Sequence, residues 1–342
     1  MVLSKSDTTT IKGIAILLMF WHHLFLNSSQ YEGFTQQFAS VSKVCVALFL
    51  FVSGYGLAKQ YSSFGERGFK TTLLFLLRRF TKFFLTYWFC FAIVILIGCL
   101  FGYSLHDAYP VTRNTLKCFT LDAWGQMGYN SYLPSWWFNK MILQLYIVFP
   151  IFYFIAWNKW TSLLGVFAIC LAQLYAKSIP GNIFFFVEGG LPAFYLGIVL
   201  SLHTFIPTAL NKRSRIIMAI LSLLLIAGLS ILHNRIILTD AYQAILVRAL
   251  IALCIVFAYR MSVIPQYPII SFIGKYATIM YLTHVLIIKL IPSIVYFPHY
   301  SLLVFLLFAI ICLAFAMIID SLDKALHYDK LKMSLVELID RF

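Results

Sequence analysis

Long apolar segments recur along the chain, separated by short stretches that contain charged residues, proline or glycine. Each segment approaches the ~20 residues that an α-helix needs to cross the hydrocarbon core of a bilayer. The pattern predicts an all-α integral membrane protein with about ten transmembrane helices. The predicted helices lie near residues 11–27, 41–59, 80–102, 138–157, 161–177, 183–202, 215–233, 241–260, 269–290 and 300–320.

The composition supports a membrane environment and argues against a separate soluble domain. Hydrophobic residues make up 62% of the 342 residues and charged residues 11%, whereas soluble domains carry about 25% charged residues. Water cannot solvate so much apolar surface on one globule, so lipid must be the solvent. We therefore predict a single polytopic domain, 1–342, with an outer loop at about 102–137 and a cytoplasmic tail at about 321–342.

Positive charge is unevenly distributed between the two predicted sides of the membrane. The net charge is +14, and 18 Lys and Arg residues fall on one side against 7 on the other. Cytoplasmic loops retain Lys and Arg, so both termini are predicted to be cytoplasmic. This topology explains most of the basic excess without a nucleic-acid partner, although part of it could bind an anionic ligand or lipid.

The seven cysteines indicate neither a disulfide framework nor a metal site. Their number is odd, they contain no CxxC pair, and six of them lie in apolar segments. Such residues are typical small apolar fillers. No metal cofactor is expected.

The first predicted helix carries a cation and an imidazole on one face. Lys12 precedes His23 by 11 residues, which corresponds to three turns plus roughly 20° and an axial rise of about 16 Å. His22 points roughly 80° away from that face. Histidine can act as a general base near neutral pH. The alternative is that Lys12 extends to the interface and His23 bonds a neighbouring helix.

Other polar residues fall within or beside apolar segments, where they are costly and often functional. Glu188 could orient a histidine or contact substrate, or it could be solvated at the outer interface. His284 is a candidate catalytic residue or a hydrogen-bonded core histidine. Arg248 lies within a predicted span and requires a partner. Ser53 and Gly54 would allow close helix approach or a local irregularity.

Basic and aromatic clusters complete the candidate chemistry. Arg78, Arg79 and Lys82 are predicted to open the third helix, either as a topology signal or as a phosphate-binding group. Aromatic residues of the outer loop, including Trp136 and Trp137, are typical of an interfacial belt, and they could also stack on sugar rings.

Taken together, these residues resemble the membrane acyltransferase-3 family, the bacterial O-acyltransferases of surface polysaccharides. The resemblance follows the order of several motifs over nearly the whole chain. They are Lys12…His23, Phe49-Leu-Phe-Val-Ser-Gly-Tyr55, Arg78-Arg-Phe-Thr-Lys82 before Tyr87-Trp88, Trp137-Phe138 with Gln144-Leu-Tyr146 and Pro150, Leu191-Pro-Ala-Phe-Tyr-Leu-Gly197, and Tyr281-Leu-Thr-His284.

The resemblance implies transfer of an acyl group, usually acetyl, from cytoplasmic acyl-CoA to a glycan hydroxyl at or beyond the outer face of the bacterial plasma membrane. Lys12 and Lys82 depart from the family, where arginine is common, and lysine lacks the bidentate guanidinium fork. The expected site has three parts. Catalysis is assigned to His23, Glu188 and His284, CoA binding to Lys12, Arg78, Arg79 and Lys82, and acceptor binding to Trp136, Trp137, Tyr146 and Ser53.

Two other functions fit parts of the pattern. A transporter or flippase of a lipid-linked sugar would explain the spans and the outer aromatics, but not the shared face of Lys12 and His23. A polysaccharide polymerase would be expected to carry a larger, arginine-rich outer loop. The acyltransferase reading is therefore preferred, with acyl-CoA, a surface polysaccharide or lipid-linked glycan, and the lipid bilayer as partners.

Overall fold

The computed structural model describes residues 3–64, 68–102, 133–175, 190–204, 210–262 and 267–341. These ranges are largely helical and contain no β-strand. A short 3₁₀ turn, Pro134–Trp136, precedes the fifth helix. The helices are α1 (Lys5–Phe25), α2 (Phe34–Ser42), α3 (Val44–Tyr61), α4 (Phe69–Leu100), α5 (Trp137–Ile155), α6 (Lys159–Tyr175), α7 (Leu191–Leu202), α8 (Lys212–Ile236), α9 (Ala241–Met261), α10 (Pro268–Leu290), α11 (Pro292–Val295), α12 (Ser301–Ala325) and α13 (Tyr328–Asp340).

Seven helical segments within the described ranges are long and apolar enough to cross a bilayer. Two further helices, α6 and α7, are apolar but shorter. The prediction of an all-α, multi-pass membrane protein is therefore confirmed. The seven segments are Phe34–Tyr61, Phe69–Leu100, Pro134–Ile155, Lys212–Ile236, Ala241–Met261, Pro268–Leu290 and Ser301–Ala325.

The start of α4 differs from the sequence prediction. The helix begins at Phe69 rather than near residue 80, so Arg78, Arg79 and Lys82 lie within it and do not open it. Residues 69–79 contain neither glycine nor proline and are mostly leucine, phenylalanine, lysine and arginine. Such residues continue a helix beyond the apolar segment that hydropathy detects.

The chain divides into two compact units. The first comprises Met1–Ser63 and Phe149–Lys275, and the second comprises Phe64–Val148 and Tyr276–Phe342. The prediction of a single polytopic domain stays a prediction.

Close contact between α3 and α7 defines the interior of the first unit. A Cβ added to Gly54 would collide with the carbonyl oxygen of Phe194, and one added to Gly197 would collide with that of Phe51. Small residues let transmembrane helices approach at backbone distance. The Ser53-Gly54 segment therefore serves close helix packing, which was one of the two alternatives that the sequence left open.

Aromatic and aliphatic side chains fill the interior of the second unit around Trp136. The Trp136 indole N–H donates to the carbonyl oxygen of Leu282 at 3.0 Å. Its ring meets that of Tyr87 edge to face, with centroids 5.2 Å apart. The buried members are Tyr87, Cys90, Phe91, Val94, Leu133, Trp136, Leu143, Leu282, Leu286 and Ile319.

Candidate functional site

Lys12 and His23 lie on one face of α1, as the helical periodicity predicts. The helix is continuous from Lys5 to Phe25, so their axial separation is about 16 Å. Lys12 is half-buried and His23 is exposed, whereas His22 is buried. The two neighbouring imidazoles therefore differ in exposure.

His22 is held in the interior of the first unit. Its Nδ1 lies 2.8 Å from the carbonyl oxygen of Ala39 on α2. A carbonyl accepts only, so Nδ1 carries the proton and donates in this contact. Its ring meets that of His23 edge to face, with centroids 5.1 Å apart. His22 thus helps to anchor the end of α1 and leaves His23 as the accessible imidazole.

Backbone contact fixes the position of α1 next to Lys12. A Cβ added to Gly13 would overlap the carbonyl oxygen of Ile270, and one added to Gly274 would overlap that of Thr9. All four residues belong to the first unit. Because glycine is needed on both sides of this crossing, α1 is seated against the first turns of α10 in one register.

The beginning of α1 is tied down by polar contacts. Ser4 and Asp7 form a reciprocal capping box, in which the Ser4 N–H donates to the Asp7 carboxylate at 2.8 Å. The Tyr259 hydroxyl donates to the same carboxylate at 2.9 Å. Burial raises the pKa of Asp7, but the hydrogen bonds from Ser4 and Tyr259 outweigh it and leave the pKa lowered. The Lys59 ammonium also donates to the carbonyl oxygen of Leu3, at 2.9 Å.

The three predicted phosphate-binding cations lie on α4 in the second unit. The Arg78 guanidinium lies 5.3 Å from the ring centroid of Phe64, and that of Arg79 lies 5.5 Å from Phe75. Both arginines are half-buried, and Lys82 is exposed. The aromatic faces orient the two guanidinium planes through cation–π contact.

His284 is fully buried within the second unit. Its Nδ1 lies 2.8 Å from the carbonyl oxygen of Tyr281. The Tyr281 hydroxyl in turn donates to the carbonyl oxygen of Ser135 at 2.5 Å. His284 therefore occupies a tightly packed position, and its catalytic role stays a prediction.

The four predicted acceptor-binding residues differ in accessibility. Trp136 is 1% exposed and belongs to the packed interior described above. Trp137, Tyr146 and Ser53 are half-buried. Of the two tryptophans, Trp137 offers the more accessible ring. Glu188 and most of the predicted outer loop, 102–137, lie outside the described residues.

Arg248 has a partner that the sequence reasoning missed. Its Nε donates to Nε2 of His233 on α8, at 3.0 Å. The requirement for a partner could be anticipated from an arginine within an apolar span. Its identity could not, because it depends on how α8 packs against α9.

The described side chains do not form a metal-binding group. No group of three or more His, Cys, Asp or Glu residues there could hold a metal ion. The six described cysteines are free thiols, and Cys118 lies outside the described ranges.

Comparison with known proteins identifies the family. No curated protein and no solved structure gave a significant match. The family model described as an acyltransferase domain matches residues 9–320, nearly the whole chain. This match confirms the resemblance predicted from the motif order, and it includes the Lys12–His23 helix. The chain therefore belongs to the membrane acyltransferase-3 family and is a multi-pass membrane acyltransferase.

Proposed function

We propose that this chain is an O-acyltransferase, most simply an O-acetyltransferase, that acts on a cell-surface polysaccharide or its lipid-linked precursor. Acyl-CoA is the proposed donor and a glycan hydroxyl the acceptor. One observation carries the proposal. Lys12 and His23 lie on one face of the continuous helix α1, at a spacing of about 16 Å that suits a ligand with an anionic head group and a reactive end.

The proposed location is the bacterial plasma membrane, with about ten spans and both termini in the cytoplasm. The 18-to-7 distribution of Lys and Arg supports this orientation. In it, Lys12 lies toward the cytoplasm and His23 toward the opposite side. A donor from the cytoplasm would then meet an acceptor from the outside along α1.

His23 is the proposed general base. It takes the proton from the acceptor hydroxyl as the hydroxyl oxygen attacks the thioester carbonyl. The new C–O bond forms, the C–S bond breaks, and the proton passes to the departing CoA thiolate. A positioned base of this kind contributes typically about 10²–10⁴-fold to the rate.

The remaining residues are assigned donor-binding, acceptor-binding or orienting roles from the chemistry of their side chains. Lys12 is proposed to bind a phosphate of the donor, and Arg78, Arg79 and Lys82 keep the same predicted role. Trp137, Tyr146 and Ser53, together with Trp136, are the predicted acceptor contacts. Glu188 and His284 are predicted to orient the acceptor or the base.

The test of the reaction is acceptor-dependent release of CoA from acetyl-CoA by the purified protein. Mass spectrometry of surface glycan should show loss of an acetyl-sized mass when the gene is absent. His23→Ala should reduce CoA release by about 10²-fold or more. A His23→Ala protein that is expressed normally and transfers at the wild-type rate would refute the assignment.

A second variant pair tests the donor side. Lys12→Ala should raise the KM for acetyl-CoA, whereas Lys12→Arg should retain it, because a guanidinium also binds phosphate. If glycan crossed the membrane without acceptor-dependent CoA release, the chain would be a transporter and the proposal would be wrong.

A further inference from the structure

Four nitrogen-bearing side chains gather at one end of the first unit, the end where α1 finishes. His22 lies in the last turns of α1, Lys43 lies between α2 and α3, His233 lies near the end of α8, and Arg248 lies two turns into α9. Lys43 and Arg248 are close enough for their charges to act on His22, and Arg248 is hydrogen-bonded to His233. We call these four residues the basic cluster.

The basic cluster is largely withdrawn from solvent. Arg248 and His22 are each 8% exposed and His233 is fully buried, while Lys43 is half-buried. Two permanent cations in such a place are costly, because burial removes their hydration. A bound anion would offset the cost of burying these two positive charges.

The described residues do not supply that anion. No salt bridge joins Lys43 or Arg248 to a carboxylate in the described ranges, and no acidic side chain there lies close enough for its charge to act on either cation. The Nε of Arg248 donates to His233, whereas its two terminal amino groups make no hydrogen bond to a described residue. Those two groups form the fork that binds carboxylate or phosphate.

The surrounding contacts hold this fork in place. Because Arg248 Nε donates to His233 Nε2, the other ring nitrogen of His233 carries the proton, and it lies 3.3 Å from the Asn234 side-chain oxygen. The Asn234 amide donates to the carbonyl oxygen of Gln37 at 3.3 Å, which joins α8 to α2. Gln37 is exposed and Asn234 is half-buried, so the basic cluster adjoins the surface here.

We propose that the basic cluster is an anion-binding subsite that holds an acidic group of the acceptor, a carboxylate or a phosphate. This inference rests on the proposed function, because it makes the acceptor an acidic glycan or a glycan on a phosphate-bearing carrier. His22 belongs to the cluster and touches His23 ring to ring, at 5.1 Å between centroids. An acidic group at Arg248 and Lys43 would thus anchor the acceptor beside the proposed base.

The test is direct binding to the purified full-length protein, without any acyl donor. The probes are glucuronate, inorganic phosphate, neutral glucose and chloride, and the readout is the ligand-induced shift in thermal unfolding temperature. Glucuronate or phosphate should raise that temperature, and glucose should not. A response to glucuronate alone identifies a sugar carboxylate as the ligand, and a response to phosphate alone identifies a carrier or glycan phosphate.

Matched variants locate the effect. Arg248→Gln and Lys43→Gln should each weaken binding of the responding probe by about tenfold or more, as loss of a charge-assisted contact predicts. Arg235→Gln is the control, because Arg235 also lies at the end of α8 but is exposed, and it should bind like the wild type. If Arg248→Gln does not fold, binding of the acidic probe to Lys43→Gln still tests the inference.

Equal binding by wild type, Arg248→Gln and Lys43→Gln would overturn the inference, as would an equal response to chloride and to the acidic probes. The donor-free readout keeps this inference separate from the proposed function. Acyl transfer without acidic-probe binding would refute the subsite alone. Acidic-probe binding without any acyl transfer would refute the proposed function.

Discussion

The imidazole of His22 lies edge to face against that of His23, with ring centroids 5.1 Å apart. The two residues are adjacent in sequence, yet one is buried and bonded to Ala39 and the other is exposed. Their roles should therefore separate experimentally. The His22 side chain should contribute to folding, and the exposed His23 side chain is the proposed catalytic group.

Replacing His22 by alanine should lower the free energy of unfolding by about 1–3 kcal/mol, because the Ala39 carbonyl loses its buried hydrogen-bond donor. His23→Ala should leave the unfolding temperature close to wild type. Thermal unfolding of both purified variants in the same detergent measures the difference. Equal unfolding temperatures for the two variants would contradict the structural role of His22.

Replacing Gly13 by alanine should destabilise the protein by about 1–3 kcal/mol and reduce acyl transfer, because the new methyl group must displace α1 from the Ile270 carbonyl. Gly228→Ala is the control, because no heavy atom lies within 4 Å of its added Cβ. That control should stabilise its helix by about 0.5–1 kcal/mol. Unfolding temperature and transfer rate should be measured for both variants. A Gly13→Ala protein as stable and active as wild type would show that α1 is not seated as described.

Asp7 should make stability depend on pH in the acid range. Its folded pKa is lowered, so its stabilising contribution is present above the unfolded value of about 3.9 and is lost as the pH falls through the folded pKa. Asp7→Asn lacks this contribution. Unfolding temperatures of wild type and variant should therefore differ at pH 7, and the difference should shrink as the pH falls below about 4 and through the folded pKa of Asp7. A difference that stays constant across this range would contradict the prediction.

The neighbouring tryptophans should respond differently to truncation. Trp136→Ala should destabilise the second unit by about 3–5 kcal/mol, since it removes a buried ring and the hydrogen bond to Leu282. Trp137→Ala should cost less stability, because Trp137 is half-buried. Denaturation of the two purified variants gives the comparison. If Trp137 also binds the acceptor, its variant should raise the acceptor KM while Trp136→Ala mainly lowers the folded fraction.

Helical periodicity was enough to predict the arrangement of α1. A constant turn of 100° per residue placed Lys12 with His23 and set His22 apart, and α1 is continuous over these residues. Hydropathy likewise located the apolar helices to within a few residues at most positions. It misplaced the start of α4, because Lys70, Arg78 and Arg79 resemble a break in a hydropathy profile while remaining good helix formers.

Tertiary contacts account for what the sequence could not predict. The contact of Arg248 with His233 depends on the packing of α8 against α9, which no local pattern encodes. The amphipathic helices α2 and α13 lack the long apolar run that marks a span, so hydropathy alone did not find them. Gly54 could be recognised as a close-packing residue, but its contact with Phe194 on α7 required the structure.

The backbone contact at Gly13 fixes the position of α1, and with it the axial distance from this contact to His23. A single residue inserted between Gly13 and His23 would turn the imidazole by about 100° and move it by about 1.5 Å, away from its present side. The helix could not slide to compensate, because its backbone already touches that of α10. Donors with longer acyl chains would therefore have to be accommodated by substitutions next to His23, because the spacing between Lys12 and His23 along α1 is fixed.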